Sequence, residues 1–282
     1  MKAISARFVL FNAAAILVAL AAIIAVIRSF LVSPSAAPCS ERYATSMTFP
    51  LARDGVALTA TDIHARTGGR DAGLLQNLEI VPLKSGPAPV AMSISLPKGS
   101  APASGSATPH GGVSFPWQPR SIINQPAVCL SYQIFFPADF DFHLGGMLPG
   151  IEGQAEQSED RFLVQAAWRQ GGTIGATNAV TIAGKKWKQM ADDGPEIPRG
   201  RWVKVDQEVV LNAPADQENG ILRVWIDGAL AIDKNDFVYR NKGDVRLSGV
   251  AADLFYGGGD DAISRAPADA KVLVSPFELS WQ

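Results

Sequence analysis

Cysteine and histidine are scarce in this 282-residue chain, with two of the first and three of the second. A metal set drawn from Cys39, Cys129, His64, His110 and His143 would need closely spaced pairs, and none of these spacings offers one. No metal and no cofactor is therefore expected. A basic excess is missing too: Lys and Arg total 25 against 27 for Asp and Glu. That balance excludes a general nucleic-acid binder. Beyond the N-terminus there is no amphipathic stretch of helical period and useful length, which argues against helical bundles and folds with crossover helices. What the chain does have is apolar content, 47% of residues, enough at this length to bury a full core without staples.

Residues 1–28 hold Lys2, Arg7 and Arg28 and no acid, so the rest of the chain carries 22 bases against 27 acids. From Phe8 to Ile27 the sequence is apolar apart from Asn12, and about 20 such residues span a bilayer core. Residues 1–28 are read as an uncleaved anchor or a cleaved secretory signal. Lys2 and Arg7 favour a cytoplasmic N-terminus. Both readings export the remainder to the periplasm or cell surface, an oxidising setting in which Cys39 and Cys129 pair or stay as thiols, with lipidation of Cys39 a lesser alternative in a poor context, Ala36-Ala37-Pro38. Residues 29–50, with Ser33, Pro34, Ser35 and Pro38, read as a linker, and 51–282 as one folded domain.

That domain is patterned as strands and turns. Residues 73–81 and 90–96 are alternating or continuously apolar runs bounded by Pro and Gly, 128–136, 161–168 and 202–211 read as strands, and the apolar-rich run 272–281 ends the chain. Ile221–Ile226 meets Asp227-Gly228 and continues as Ala229–Asp233, a strong signal for a hairpin with a type I′ turn. Residues 97–112 are low in complexity and read as a mobile excursion. Many short strands without crossover helices predict an all-β antiparallel sandwich.

Alternation along a strand puts Phe162, Val164, Ala166 and Trp168 on one face and Arg161, Leu163, Gln165, Ala167 and Arg169 on the other. Residues 221–226 similarly present Arg223 and Trp225 opposite Leu222, Val224 and Ile226. Guanidiniums match carboxylates and indoles stack on sugars, although an ordinary solvated sheet face has the same pattern. The glycine-flanked loops 135–151 and 254–261 suit either a close backbone approach to a ligand or tight corners of the sandwich. Lys185-Lys-Trp-Lys188 is a basic patch that could meet an anionic polymer or simply sit at a solvated hairpin tip.

The ordered landmarks Leu130–Phe142, Gly145-Gly-Met-Leu-Pro-Gly-Ile151, Trp168-Arg169, Arg199-Gly-Arg-Trp202, Asn219-Gly220, Val224-Trp-Ile-Asp-Gly228, Tyr239-Arg240 and Phe255-Tyr-Gly-Gly-Gly-Asp260 resemble those of polysaccharide lyase family 14. The resemblance covers about residues 110 to 282. It implies a concanavalin A-like jelly roll that binds an acidic polysaccharide such as alginate or glucuronan and cleaves it by metal-free β-elimination. Such chemistry must neutralise the uronate carboxylate and supply a base for the C5 proton. In the resembling enzymes a lysine follows the Gly-Gly pair, a Ser-x-Arg pair precedes the Trp-Arg landmark, and tyrosines follow on the next strand. Here Met147 stands in the lysine's place and Leu163 and Gln165 in those of the Ser and Arg; the tyrosine positions fall near Thr177 and Ala179.

The expectation is thus a lyase-like domain with a degenerate site, gripping a uronate chain through Arg161, Gln165, Arg223 and Trp225 beside Met147. A relocated active site would use His143 or Tyr239 as base and Arg169 or Arg240 as neutraliser. His143 reads equally well as an exposed loop residue, and Tyr239-Arg240 as a pair that packs and caps. A non-catalytic structural or protein-interaction sandwich is the remaining alternative.

Overall fold

The computed structural model describes residues 37–103, 105–106, 108–191, 194–257 and 265–282. The apolar run 8–27 and residues 258–261 of the second glycine-rich loop lie outside them. Among the described residues, no helix is long and apolar enough to cross a membrane.

Two antiparallel sheets dominate the described residues. The nine-stranded sheet runs in the order Ala229–Phe237, Gly220–Ile226, Trp202–Val210, Ala127–Phe135, Ala270–Val274, Val90–Leu96, Leu78–Pro82, with Glu278–Trp281 also on Ala127–Phe135 and Thr45–Thr48 beyond it. The seven-stranded sheet runs Lys185–Ala191, Ile174–Ile182, Arg161–Arg169, Gly145–Gln154, Arg246–Ala251, Pro116–Trp117, with Phe255–Tyr256 against Gly145–Gln154.

Binary patterning explains why the two sheets close on each other. Phe162, Val164, Ala166 and Trp168 from one and Leu130, Ile134, Val203, Val205 and Val209 from the other are buried in a single cluster. One polar strut crosses that core, where Gln207 Nε2 donates to the Val164 carbonyl at 2.9 Å. An aromatic group of Phe136, Phe140, Phe142, Trp168 and Tyr256 closes one end. Gly146 is required there, because a Cβ would lie 2.0 Å from the Trp168 ring. Residues 136–144 of the expected loop 135–151 are therefore a tight corner of the sandwich, whereas Gly145–Gln154 is a strand.

The 227–228 turn has φ of +50° at Asp227 and +82° at Gly228, as a type I′ hairpin demands. Three expectations are corrected. Residues 37–50 are not a free tether: Cys39–Arg42 is a helical turn, and Thr45–Thr48 pairs with Glu278–Trp281. Residues 73–81 divide into the helical turn Leu74–Asn77 and the strand Leu78–Pro82. The described part of 97–112 is packed: Ala101–Pro102 pairs with His110–Gly111, and the buried Asn77 amide donates to the carbonyls of His110 and Gly112. A helix also occurs at Ala60–Thr67, too short to show periodicity but fixed by a capping box between Thr59 and Asp62.

Cys39 and Cys129 form a disulfide across 90 residues, both fully buried. It pins the Cys39–Arg42 turn to the outer side of the nine-stranded sheet. Removing a crosslink that closes so long a loop releases chain entropy in the unfolded state. The Cys39→Ser/Cys129→Ser double variant is expected to lose about 2–5 kcal/mol of stability, measured by urea denaturation. An unchanged midpoint would contradict that role for the bridge.

Candidate functional site

The outer face of the seven-stranded sheet gathers the sites that the sequence singled out on separate segments. Leu163 pairs with Ala179 and Gln165 with Thr177, while Met147 pairs with Ala167 on the other side. Met147, Leu163, Gln165, Thr177 and Ala179 therefore occupy one face of three adjacent strands. On the next strand Lys186 pairs with Thr181 and Lys188 with Ala179. This brings Lys186 and Lys188 beside Arg161, itself paired with Thr181. Arg161, Leu163, Ala179, Thr181, Lys186 and Lys188 line a groove of about 400 Å³. The lysines thus lie along an edge strand. The hairpin tip is at Ala183-Gly184.

Toward the Met147 and Ala167 end of these strands the same face is covered, whereas across the strands Leu163 is followed by the half-buried Glu152 and Arg161 by the exposed Gln154. Met147 is 8% exposed, Ala167 0% and Gln165 5%. Met147 and Ala167 pack with the buried Ala103 and Phe255, and Ala72 rests against the patch. Gln165 spends its amide hydrogens internally: Nε2 donates to the Leu148 carbonyl at 3.2 Å and to Asp253 Oδ2 at 2.9 Å. This amide is not presented to a ligand, which corrects its reading as a substrate contact. Met147 is likewise beneath the protein's own side chains.

Arg169 is half-buried and donates from Nη2 to the Ala176 carbonyl and the Thr177 hydroxyl, both at 3.2 Å. His143 lies two residues before Gly145, which pairs with Arg169. It has φ of +45°, and its backbone N–H donates to Asp141 Oδ1. With Asp141, Gln170 and Arg199 it borders a separate open hollow of about 520 Å³.

Two pairs fall elsewhere. Tyr239 is fully buried against Phe162 and Phe237, its hydroxyl donating to the Ile221 carbonyl. Burial pushes that hydroxyl well above its usual range, so Tyr239 is a core residue and not a base facing a sugar. Arg240 spends its guanidinium on the carbonyls of Asn212 and Val245, which makes it a chain clamp. Arg223 and Trp225 belong to the nine-stranded sheet, so they do not share a face with Arg161. Arg223 donates to Glu208 and Asp233, Trp225 is fully buried, and the Arg42 guanidinium lies 5.9 Å from the indole. These four assignments are corrected. Residue type had suggested chemistry, whereas their partners show packing and ion pairing.

Asp253 carries no signal of its own in the chain, because its partner Gln165 is 88 residues away. Burial raises its carboxyl to about 6, opposed by hydrogen bonds from Ser114 and Gln165 and reinforced by the charge of Glu152. A carboxyl with a raised pKa in the folded state favours folding while protonated, and that contribution is lost as pH rises through about 6. Asp253→Asn removes the titration. The stability of this variant relative to the parent is expected to increase by roughly 2–3 kcal/mol from pH 4 to pH 7. Urea denaturation at several pH values in that window checks this, and a constant difference would refute it. Among the described residues, no cluster of three or more His, Cys, Asp and Glu could hold a metal.

Comparison with known structures places this architecture. A marine alginate lyase from Aplysia kurodai superposes with a TM-score of 0.66 at 20% identity, covering 85% of this chain and 99% of the other. An alginate lyase from Chlorella virus gives 0.61 at 15% identity over 79% and 97% of the two chains. An endo-β-1,4-glucuronan lyase from the fungus Trichoderma reesei gives 0.54 at 9% identity over 85% and 96%. The fold is thus the antiparallel jelly-roll sandwich of these enzymes. No curated protein sequence matches. The family pattern of polysaccharide lyase 14 matches residues 85–275. By that match, which spans more than half of its length, the chain belongs to the polysaccharide lyase 14 family.

Proposed function

We propose that this protein binds an acidic, uronate-containing polysaccharide on the outer face of the seven-stranded sheet, with little or no β-elimination. The carrying observation is the convergence of Arg161, Lys186 and Lys188 on one groove whose floor is Leu163 and Ala179. Cations on a rim answer the carboxylates of successive uronates, and small or aliphatic side chains beneath them accept the apolar face of a pyranose. The related lyases named above act on alginate or glucuronan, which agrees with such a ligand.

The chemistry argues against efficient elimination. A C5 proton becomes removable only when the adjacent carboxylate is neutralised and a base lies within hydrogen-bond reach. The corresponding positions hold Met147, Leu163, Gln165, Thr177 and Ala179, none of which is cationic or basic. The amide of Gln165 is committed to Asp253 and Leu148, and the Thr177 hydroxyl, a neutral donor, is engaged by Arg169. Losing one preorganised charge-stabilising donor typically costs about 3–4 kcal/mol in the transition state. Of the relocated site only His143 and Arg169 remain candidates, and Arg169 already donates to Thr177 and Ala176.

Export belongs to this proposal. It is supported by the apolar run 8–27 and by the buried disulfide, a bond typical of oxidising compartments. Retention at a membrane through that run is part of the same reading.

Titration with alginate and glucuronan oligosaccharides, with ultraviolet absorbance followed for unsaturated product, tests the reading. Binding without product is expected. Lys186→Ala/Lys188→Ala is expected to weaken binding about 5–30-fold, as the loss of two partly screened charge contacts would. Lys271→Ala, on the nine-stranded sheet, should leave it unchanged. Failure to bind any polyuronate would overturn the binding assignment, and sustained product release would overturn the non-catalytic one.

A further inference from the structure

We propose that five residues in direct cross-strand register form a ladder on which a polyuronate lies perpendicular to the strands, with every second carboxylate on a cation. This inference rests on the polyuronate reading above. Lys186 pairs with Thr181, Thr181 with Arg161, Arg161 with Gln154, and Gln154 with Arg246. Residues directly opposite each other share a face of a sheet, so this row crosses five strands on the outer face. Its first three members line the groove described above. Gln154 and Arg246 carry it two strands further.

Cations alternate with neutral groups along the row. Its first, third and fifth members are charged, and between them stand a hydroxyl and an amide. Neighbouring cations are two inter-strand steps apart, about 10 Å, which is the length of two sugars in an extended 1,4-linked chain. In a two-fold chain successive carboxylates point to opposite sides, so those on one side recur at that same interval. Thr181 and Gln154 then face the hydroxyls of the intervening sugars. The long Lys and Arg stems absorb the rotation that strand twist adds from rung to rung.

These groups are open to a ligand. Lys186, Arg161, Gln154 and Arg246 are all exposed. Among the described residues, the side chains of the first three have no hydrogen-bond or ion-pair partner, and Arg246 has a single long contact, from Nη1 to Asn124 Oδ1 at 3.4 Å. No acid stands in the row. The neighbouring row, two residues along each strand, is different. It consists of Lys188, Ala179, Leu163, Glu152 and Gly249, with one cation and one anion. Glu152 Oε1 accepts from Gln118 Nε2 at 2.8 Å, and Gln118 also stands against Gly249, where a Cβ would lie 3.0 Å from its Cγ. A uronate carboxylate over that row would meet Glu152, and like charges repel. The chain is therefore held over Arg161, with Leu163 and Ala179 at its flank.

The spacing of the rungs selects the linkage. Chains joined through equatorial bonds at both C1 and C4, as in β-1,4-mannuronan and β-1,4-glucuronan, extend as flat two-fold ribbons. The diaxial α-1,4-guluronan is buckled and shorter for each pair of sugars, so its carboxylates fall out of step with the cations. Four inter-strand steps are roughly 20 Å, so about five sugars engage all three cations.

Calorimetric titration with mannuronate and guluronate oligomers of increasing length tests the ladder. Mannuronate affinity is expected to rise up to about five residues and then level off, with guluronate oligomers bound about 5-fold more weakly, as the loss of one ion pair would give. Arg246→Ala is expected to weaken binding of the longer mannuronate oligomers about 2–5-fold and to leave the trisaccharide, held by Lys186 and Arg161, nearly unchanged. Lys242→Ala, at an exposed cation of the loop before that strand, controls for net charge and should bind as the parent does. Full affinity in Arg246→Ala, or an equal loss in Lys242→Ala, would overturn the ladder while leaving polyuronate binding in the groove intact. Equal affinity for guluronate would overturn the selection of a flat ribbon. Failure to bind any polyuronate would remove the ligand itself, and this inference with it.

Discussion

Everything in this molecule depends on one row of side chains, Phe162, Val164, Ala166 and Trp168, buried against the nine-stranded sheet. Each large member of that row contributes on the order of 2–3 kcal/mol by leaving water. The row also fixes register, since a slip by one residue would carry the guanidiniums of Arg161 and Arg169 into the core. Once the inner row is set, the intervening residues have no choice of face. Arg161, Leu163, Gln165, Ala167 and Arg169 must line the outside, and their cross-strand partners bring Thr177, Ala179, Thr181, Lys186 and Lys188 alongside. The candidate site is the other side of the core's own packing.

How much of this could be read from the chain depends on the range of each signal. Alternation is local, so the strands Ala127–Phe135, Arg161–Arg169, Trp202–Val210 and Gly220–Ile226, the inner row of Arg161–Arg169 and the 227–228 hairpin were legible within a residue or so, whereas Gly145–Gln154, Ile174–Ile182, Lys185–Ala191 and Arg246–Ala251 were not. The family landmarks extended that to the architecture and placed Met147, Leu163 and Gln165 on one surface. Partners distant in sequence were not legible. Trp225 and Arg223 show a sugar-binding composition, yet Arg42, 183 residues before Trp225, covers the indole, and Glu208 and Asp233 hold the guanidinium. Tyr239 and Arg240 failed as candidates for the same reason: hydroxyl and guanidinium are satisfied by carbonyls that only the fold brings near. The segment 97–112 misled in the opposite direction. Small residues and prolines suggest mobility, but smallness is what lets Ala101 and Ala103 lie flat on a neighbouring surface.

The outer face divides into a charged half and an apolar half, and this division has a physical logic. A cation facing a trough is held in place by water or by a ligand's carboxylate. A covered trough supplies neither, and an ammonium at position 147 would lie under Ala103 and Phe255 with its hydration removed. Met147 is compatible with that cover, and so is Gln165 with its amide turned to Asp253. Asp253 needs the amide in return, since a buried carboxylate without a donor costs several kcal/mol. Cover, methionine and the Gln165–Asp253 pair are therefore mutually supporting, and none of them can be exchanged singly.

That coupling bears on where along the face the proposed ligand can sit. If a sugar chain lay over Gln165 and Met147, the buried pair would have to open and Asp253 would face a uronate carboxylate, with like charges meeting in a poorly solvated place. A ligand confined to the Arg161 end avoids both costs. It meets Lys186, Lys188 and Arg161, which water already solvates, and leaves Gln165 and Asp253 as they are. The location of the cations and the covered patch at Met147 and Ala167 thus both direct the ligand to the Arg161 end of the face. On this reading the cations meet the sugar at one end of the face, and the covered end holds neither a cation nor a base.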